Sequence, residues 1–270
     1  MRKVLFATDF SDSAEGALSF LAEMIEGREI EVDLIHVFDI PIPIASAVTH
    51  KAMIDMIKER RHAVKKQLRD VLEQFPKEQR GNVHAVHGAY PSTEISELAE
   101  EEGVDFIIMA MRQKYSLFDK IIGSSTAHTI QKSDIPVLAI PNGAKYSDFK
   151  SILFPTNMNI DDRLEGQEKK ALEWLYNFWE LFDNPEVNMI HVTEDESVLE
   201  SRVHNKPFAE MEFIVTSADS VEKGILNYLE SHNIDLIAVY KPNRGFWERL
   251  YHSSVTRKLL IKSRIPLLVF

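Results

Sequence analysis

Residues suited to holding a ligand stand at two places in this chain: the turn Gly123-Ser124-Ser125 with the basic loop before it, which suits an anion, and Asp9 at the end of the first apolar run. A Gly-Ser-Ser turn that opens a helix presents unpaired backbone N–H groups, which attract phosphate. The same turn serves equally as an ordinary helix cap. Arg112, Lys114 and Lys120 lie in the preceding loop and could neutralise phosphates, although basic loop residues are commonly just solvated. Asp9 precedes Ser11 and Asp12, either of which can cap the next helix, so its carboxylate is left for a ligand. No Gly-x-Ser-x-Gly elbow and no P-loop occurs, and no catalytic residue is assigned. His84 and His87, three apart on a strand, point to opposite faces, so no metal site is assigned either. His36 and His191 occupy equivalent strand positions and read as satisfied core or near-core histidines.

These residues need elements to position them. Val4 to Thr8 reads as a buried strand, and Ala14, Ala17, Leu18, Leu21, Ala22 and Ile25 then recur at helical spacing until Gly27. A strand over 32–37, a proline-bearing loop at 38–43 and a long helix from about Thr49 to Phe75 come next. Residues 82–87 form a more polar strand near a sheet edge, and a helix runs from Pro91 to Gly103. Phe106 to Ala110, the basic loop, a helix from the Gly-Ser-Ser turn and Val137 to Ile140 complete the pattern. The alternation β-α-β-α-β-α-β-α-β gives a parallel sheet with right-handed crossovers.

Residues 142–150 read as a polar linker, and the pattern then restarts. The offset between matching positions is 148 at the first strand (Val4, Ile152), 155 at the second (His36, His191) and 130 at the last (Ile135, Ile265). The second copy is therefore shortened between its second and fourth strands, where the first has its long helix. This divides the chain into a first domain over 1–141, a linker over 142–150 and a second domain over 151–270.

With 270 residues, 44% of them hydrophobic and 27% charged, the chain can bury substantial cores. No apolar run is long enough to span a membrane, and Asp9, Asp12 and Glu15 interrupt any signal-peptide core. Cytoplasmic residence is expected. The net charge of -11 argues against nucleic acid as a partner.

The segments VLFATDFSDSAEGAL, LIHV, GVDFIIMA, GSS and SDIPVLAI, in this order and spacing, resemble the universal stress protein family in its tandem form. The resemblance implies an α/β fold of two Rossmann-like domains, each a five-stranded parallel sheet of order 3-2-1-4-5 flanked by helices. It implies ATP or AMP bound in the first domain and a non-enzymatic stress-response role. ATP-binding members carry G-x2-G-x9-G-[ST]; here those positions hold Ala110, Gln113 and Gly123-Ser124. Asp9, with Thr8 before it, stands where the family's strand-end carboxylate meets the nucleoside, and Val37 where a backbone group meets adenine. Arg112 and Ser125 flank the phosphate position. The second copy holds Asn157, Val239, Pro242 and His252 at these places, which speaks against ATP there. Two other roles are weighed: a scaffold that has lost nucleotide binding and works through protein contacts, and an ATP-hydrolysing enzyme. The family's domains pair through their last strands, which makes the tandem chain an internal pseudo-dimer. A homodimer of such chains would need some other surface.

Overall fold

The computed structural model describes residues 2–40, 49–111, 124–156, 166–182, 185–194, 211–240 and 264–270. Two compact units are formed, Met1–Leu138 and Ala139–Phe270.

In the first unit the short apolar runs become strands because both of their faces are covered, which leaves no place for alternation. Val4, Leu5 and Phe6 of β1 (Arg2–Ala7) are fully buried, as are Ile107 and Ile108 of β4 (Phe106–Ala110). β2 (Ile30–Phe38) and β4 flank β1, both parallel to it. β3 (Arg80–His87) pairs with β2, and β5 (Val137–Ile140) follows β4, giving the order β3-β2-β1-β4-β5. β3 is the half-exposed edge strand that its polar sequence suggests. It starts two residues earlier than position 82, and β2 runs through Phe38 rather than ending at Val37.

α1 (Asp12–Ile25) is capped by Ser11, whose hydroxyl accepts from the Ala14 N–H, and ends before Gly27, whose φ of 72° is in the left-handed region. α2 (His50–Leu72) is capped by Thr49. Only its second half reaches the core, through Val64, Leu68 and Leu72; Ile57 and Val71 are half-exposed. α3 (Pro91–Glu101) starts on Pro91, where a missing N–H costs nothing. α4 (Ser124–Lys132) buries Ala127, Thr129 and Ile130.

The second unit has the same plan. β6 (Ser151–Pro155), β7 (Glu186–Thr193), β8 (Met211–Ser217), β9 (Leu236–Val239) and β10 (Leu267–Val269) run in the order β10-β9-β6-β7-β8. Among its described residues the helices are α5 (Gly166–Trp179) and α6 (Val221–Ser231). The pattern at 142–150 that reads as a linker is packed on this unit: Phe149 is buried, with ring centroids 5.0 Å from Phe182 and 6.3 Å from Phe178.

The two units also repeat individual hydrogen bonds. The Asp105 carboxylate accepts from the Lys3 N–H (2.8 Å) and its N–H donates to the Lys3 carbonyl (2.8 Å); Asp235 does the same with Ser151 (3.0 and 2.9 Å). The Ile107 and Ile237 amides donate to the carbonyls of Pro136 (2.8 Å) and Pro266 (3.0 Å). His36 Nδ1 meets the Thr8 carbonyl at 2.7 Å, and His191 Nδ1 meets that of Thr156 at 3.3 Å. Both histidines are therefore satisfied near-core groups, as their equivalent positions suggest.

Candidate functional site

In the first unit the connections β1-β2-β3 step one way across the sheet and β4-β5 step the other. The carboxyl ends of β1 and β4 thus border the crevice where open α/β sheets take ligands. What lies there follows from how β1 ends. Thr8 extends the ladder by one bond, its N–H donating to the Ile35 carbonyl at 2.9 Å. The chain then turns sharply. The Thr8 hydroxyl accepts from the Phe10 N–H at 3.0 Å, and Asp9 Oδ1 accepts from the Ser11 N–H at 3.0 Å and from the Ser11 hydroxyl. Asp9 thereby shapes the loop while Ser11 caps α1, and its side chain remains at the exposed rim.

Phe10 bears the strain of this turn. Its φ is 58°, a left-handed conformation that costs a residue with a Cβ about 1–2 kcal/mol. Its exposed ring lies against the His36 imidazole, centroids 4.7 Å apart. A carbonyl only accepts, so the His36 Nδ1 carries the proton it gives to Thr8. Burial lowers the His36 pKa and Arg60 adds to this, against the Thr8 bond and Asp9, which favour the charged form.

On the other side of the crevice, Ala110 ends β4 and its carbonyl accepts from the Thr126 hydroxyl at 3.0 Å. That bond ties the first turn of α4 to the strand end and so fixes where the helix N-terminus opens. Ser125 is half-buried in that turn, and its carbonyl accepts from the Thr129 hydroxyl. Val37, half-buried, stands one residue before the end of β2 and pairs with Val86. Thr8, Asp9, Val37, Ala110 and Ser125 are therefore gathered on one edge of the sheet. Arg112, Gln113, Gly123 and the Ser124 side chain lie outside the described residues. Such an edge, with a carboxylate, a helix start and an aromatic pair, can bind a small polar ligand.

Phe10 and Thr126 are contributions that motif reading does not find. The sequence signal for the first is the Asp-x-Ser step, which favours a side-chain turn. The signal for the second is a β-branched hydroxyl inside the first turn of α4.

The opposite, amino edge of the same sheet holds a charged cluster. The Asp33 side chain is fully buried and accepts from the Lys3 ammonium at 2.9 Å and from the Asn82 N–H at 2.7 Å, with His84 Nε2 at 3.3 Å. The Lys3 ammonium also donates to Glu102 at 2.8 Å. Burial alone would raise the Asp33 pKa, but the bonds from His84, Asn82 and Lys3 outweigh it and hold the carboxyl below its ordinary value. Burial likewise works against the Lys3 charge, and the bonds to Glu102 and Asp33 reverse that, so its pKa is raised. Asp33, His84 and Glu102 could offer ligand atoms within 4.8 Å of one another. Lys3 joins the two carboxylates, so the cluster is built around an internal cation.

In the second unit Thr156 follows the end of β6, and its N–H donates to the Ile190 carbonyl at 2.9 Å. Val239 ends β9, while Asn157, Pro242 and His252 lie outside the described residues. Among the described residues no helix is long and apolar enough to cross a membrane.

The model of the Universal stress protein family matches residues 1–141. A universal stress protein of Methanocaldococcus jannaschii is 30% identical over 152 residues, which are 52% of this chain and 94% of the relative. The crystal structure of a universal stress protein from Archaeoglobus fulgidus DSM 4304 superimposes with a TM-score of 0.66 at 20% identity, covering 99% of this chain and 95% of that one. The second likeness bears on the fold alone.

Proposed function

Since the chain belongs to the universal stress protein family, we propose that its first unit binds an adenine nucleotide, ATP or AMP, at the carboxyl edge of β1 and β4, and that the protein acts as a non-enzymatic stress-response regulator. The observation that carries this reading is the meeting of the β1 turn and the α4 start across one crevice, with Asp9 at one rim and the Thr126-anchored helix at the other. In this reading the backbone N–H groups at the start of α4 receive phosphate, and Arg112 and Gln113 lie along its path. Asp9 accepts from the ribose hydroxyls, and the Val37 backbone meets the base. Ala110 stands where a glycine would let the chain approach the phosphates and adds only one methyl group.

The apolar sequences Val137 to Ile140 and Leu267 to Phe270 support reading the chain as an internal pseudo-dimer, because exposed apolar edges invite association. We place the first domain at 1–141, the joining segment at 142–150 and the second domain at 151–270. The protein is expected in the cytoplasm.

Isothermal titration with ATP, ADP and AMP, with and without magnesium, tests the reading. Saturable binding that Gly123→Arg abolishes is expected. Binding that survives the substitution unchanged moves the site elsewhere, and the absence of any binding leaves the scaffold role. Phosphate release no faster than in buffer is expected, and turnover above it would make the protein an enzyme.

A further inference from the structure

Phe10 stands at the carboxyl edge in a position that asks for a different residue type. Three hydrogen bonds hold the turn around it: the Phe10 N–H donates to the Thr8 hydroxyl, and the Ser11 N–H and hydroxyl donate to Asp9. None of them uses the Phe10 side chain. At a φ of 58° a glycine would sit without strain and an asparagine with little, whereas a bulky aromatic residue is costly. Core burial does not offset that cost, because Phe10 is 37% exposed. Nor does the ring staple the start of α1. With Ser11 as the cap, the position that would pack on Phe10 is Glu15, which is not apolar.

What surrounds the ring suits a flat heterocycle. The ends of β1 and β2 are drawn together here, by the Thr8 N–H on the Ile35 carbonyl and by His36 Nδ1 on the Thr8 carbonyl. His36 thus spends its Nδ1 proton on the backbone, and burial favours its uncharged form. Its imidazole supports the Phe10 ring from the strand side and is the ring contact of Phe10 among the described residues. Asp9 precedes Phe10 in the chain, and Val37 follows His36. The exposed part of Phe10 therefore lies between the residues assigned above to the ribose and to the base.

We infer that Phe10 is the base-contacting residue of the nucleotide site: adenine packs on its exposed ring, which His36 holds in place. This rests on the nucleotide reading above and adds to it the side chain that recognises the base. Packing of a base on an aromatic ring does not involve the phosphates. Phe10 should therefore act alike on ATP and AMP.

Titration calorimetry of the full chain with ATP and with AMP tests this. Phe10→Gly and Phe10→Asn both suit the left-handed backbone and remove the ring, so both should remain folded by circular dichroism. Each should weaken whichever nucleotide the wild type binds by about fivefold or more. Phe10→Tyr keeps the ring and should stay within about fivefold of wild type. A role confined to the turn would be served as well or better by glycine, and affinity would then hold. Smaller losses in either ring-less variant, a tyrosine variant that loses as much, or a loss confined to one of two nucleotides that both bind would each overturn the inference and leave the nucleotide reading standing. A wild type that binds neither nucleotide overturns that reading and the inference with it.

Discussion

The Lys3 ammonium and the buried Asp33 carboxylate are 2.9 Å apart, and the positions that match them in the second unit, Ser151 and Asn188, make a neutral hydrogen bond of 3.4 Å instead. One frame thus carries a charged and an uncharged answer to the same problem, that of filling a polar position between the first two strands. Removing one partner of a buried pair strands the other charge, whereas replacing both need not. Asp33→Asn is therefore expected to cost about 3 kcal/mol in urea unfolding. Lys3→Ser with Asp33→Asn, the pair already used in the second unit, should cost clearly less than the single change. Additive losses would mean that the two side chains act independently.

The same cluster sets a pH dependence. Asp33 has a lowered pKa in the fold, so its stabilisation is present above the unfolded carboxylate range, near 3.8, and is lost as pH falls through the folded value. Lys3 has a raised pKa, so its share is complete below about 10.5 and is lost as pH rises through the folded value. His36 acts in a third window. Its folded pKa is lowered, so the unfolded chain takes up a proton that the folded one resists, and stability declines as pH falls below about 6.5. Chemical unfolding between pH 7.5 and 5.5 should show this decline, and His36→Asn should flatten it.

Thr126→Val keeps the shape of its side chain and removes the only described bond from α4 to the Ala110 carbonyl. The expected cost is about 1–2 kcal/mol. If the proposed site is correct, nucleotide affinity should fall with it, because the helix start is no longer fixed against β4. Titration calorimetry beside thermal melting separates the two effects.

Two helical glycines should respond in opposite directions to alanine. A Cβ at Gly16 in α1 meets nothing within 4 Å, so Gly16→Ala is expected to stabilise by about 1 kcal/mol through helix propensity. At Gly224 in α6 the same Cβ would lie 2.5 Å from Val192 Cγ1, and its branched neighbour has no flexible end to move. Overpacking, about 1–3 kcal/mol, outweighs the propensity gain there, so Gly224→Ala should destabilise. Melting temperatures of the two variants provide the check.

The alternation of strands and helices in the first unit was legible because strands covered on both faces, such as Phe106 to Ala110, leave uninterrupted apolar runs. Strand ends were less legible. Phe38 continues β2 because it packs on His87, 5.7 Å away between ring centroids, a contact that only the β2–β3 register creates. Phe149 looks like an exposed residue of a polar stretch until Phe178 and Phe182 arrive from α5 and the segment after it. At the candidate site the turn that Asp9 makes with Ser11 follows from the local Asp-x-Ser step. The packing of Phe10 on His36 and the Thr126 anchor do not, because each depends on an atom from another element. The Lys3–Asp33 pair was hidden for the same reason: Asp33 sits among Val32, Leu34 and Ile35, and nothing local distinguishes it from a strand residue facing water.

The histidine that holds the end of the first strand in both units, His36 on Thr8 and His191 on Thr156, has a practical meaning for protein engineering. The two halves keep a common mechanical joint beneath rims whose residues have diverged. The first unit's rim is then exchangeable cargo on a standard fitting: the turn at Asp9, Phe10 and Ser11 can be altered without redesigning the strands that carry it.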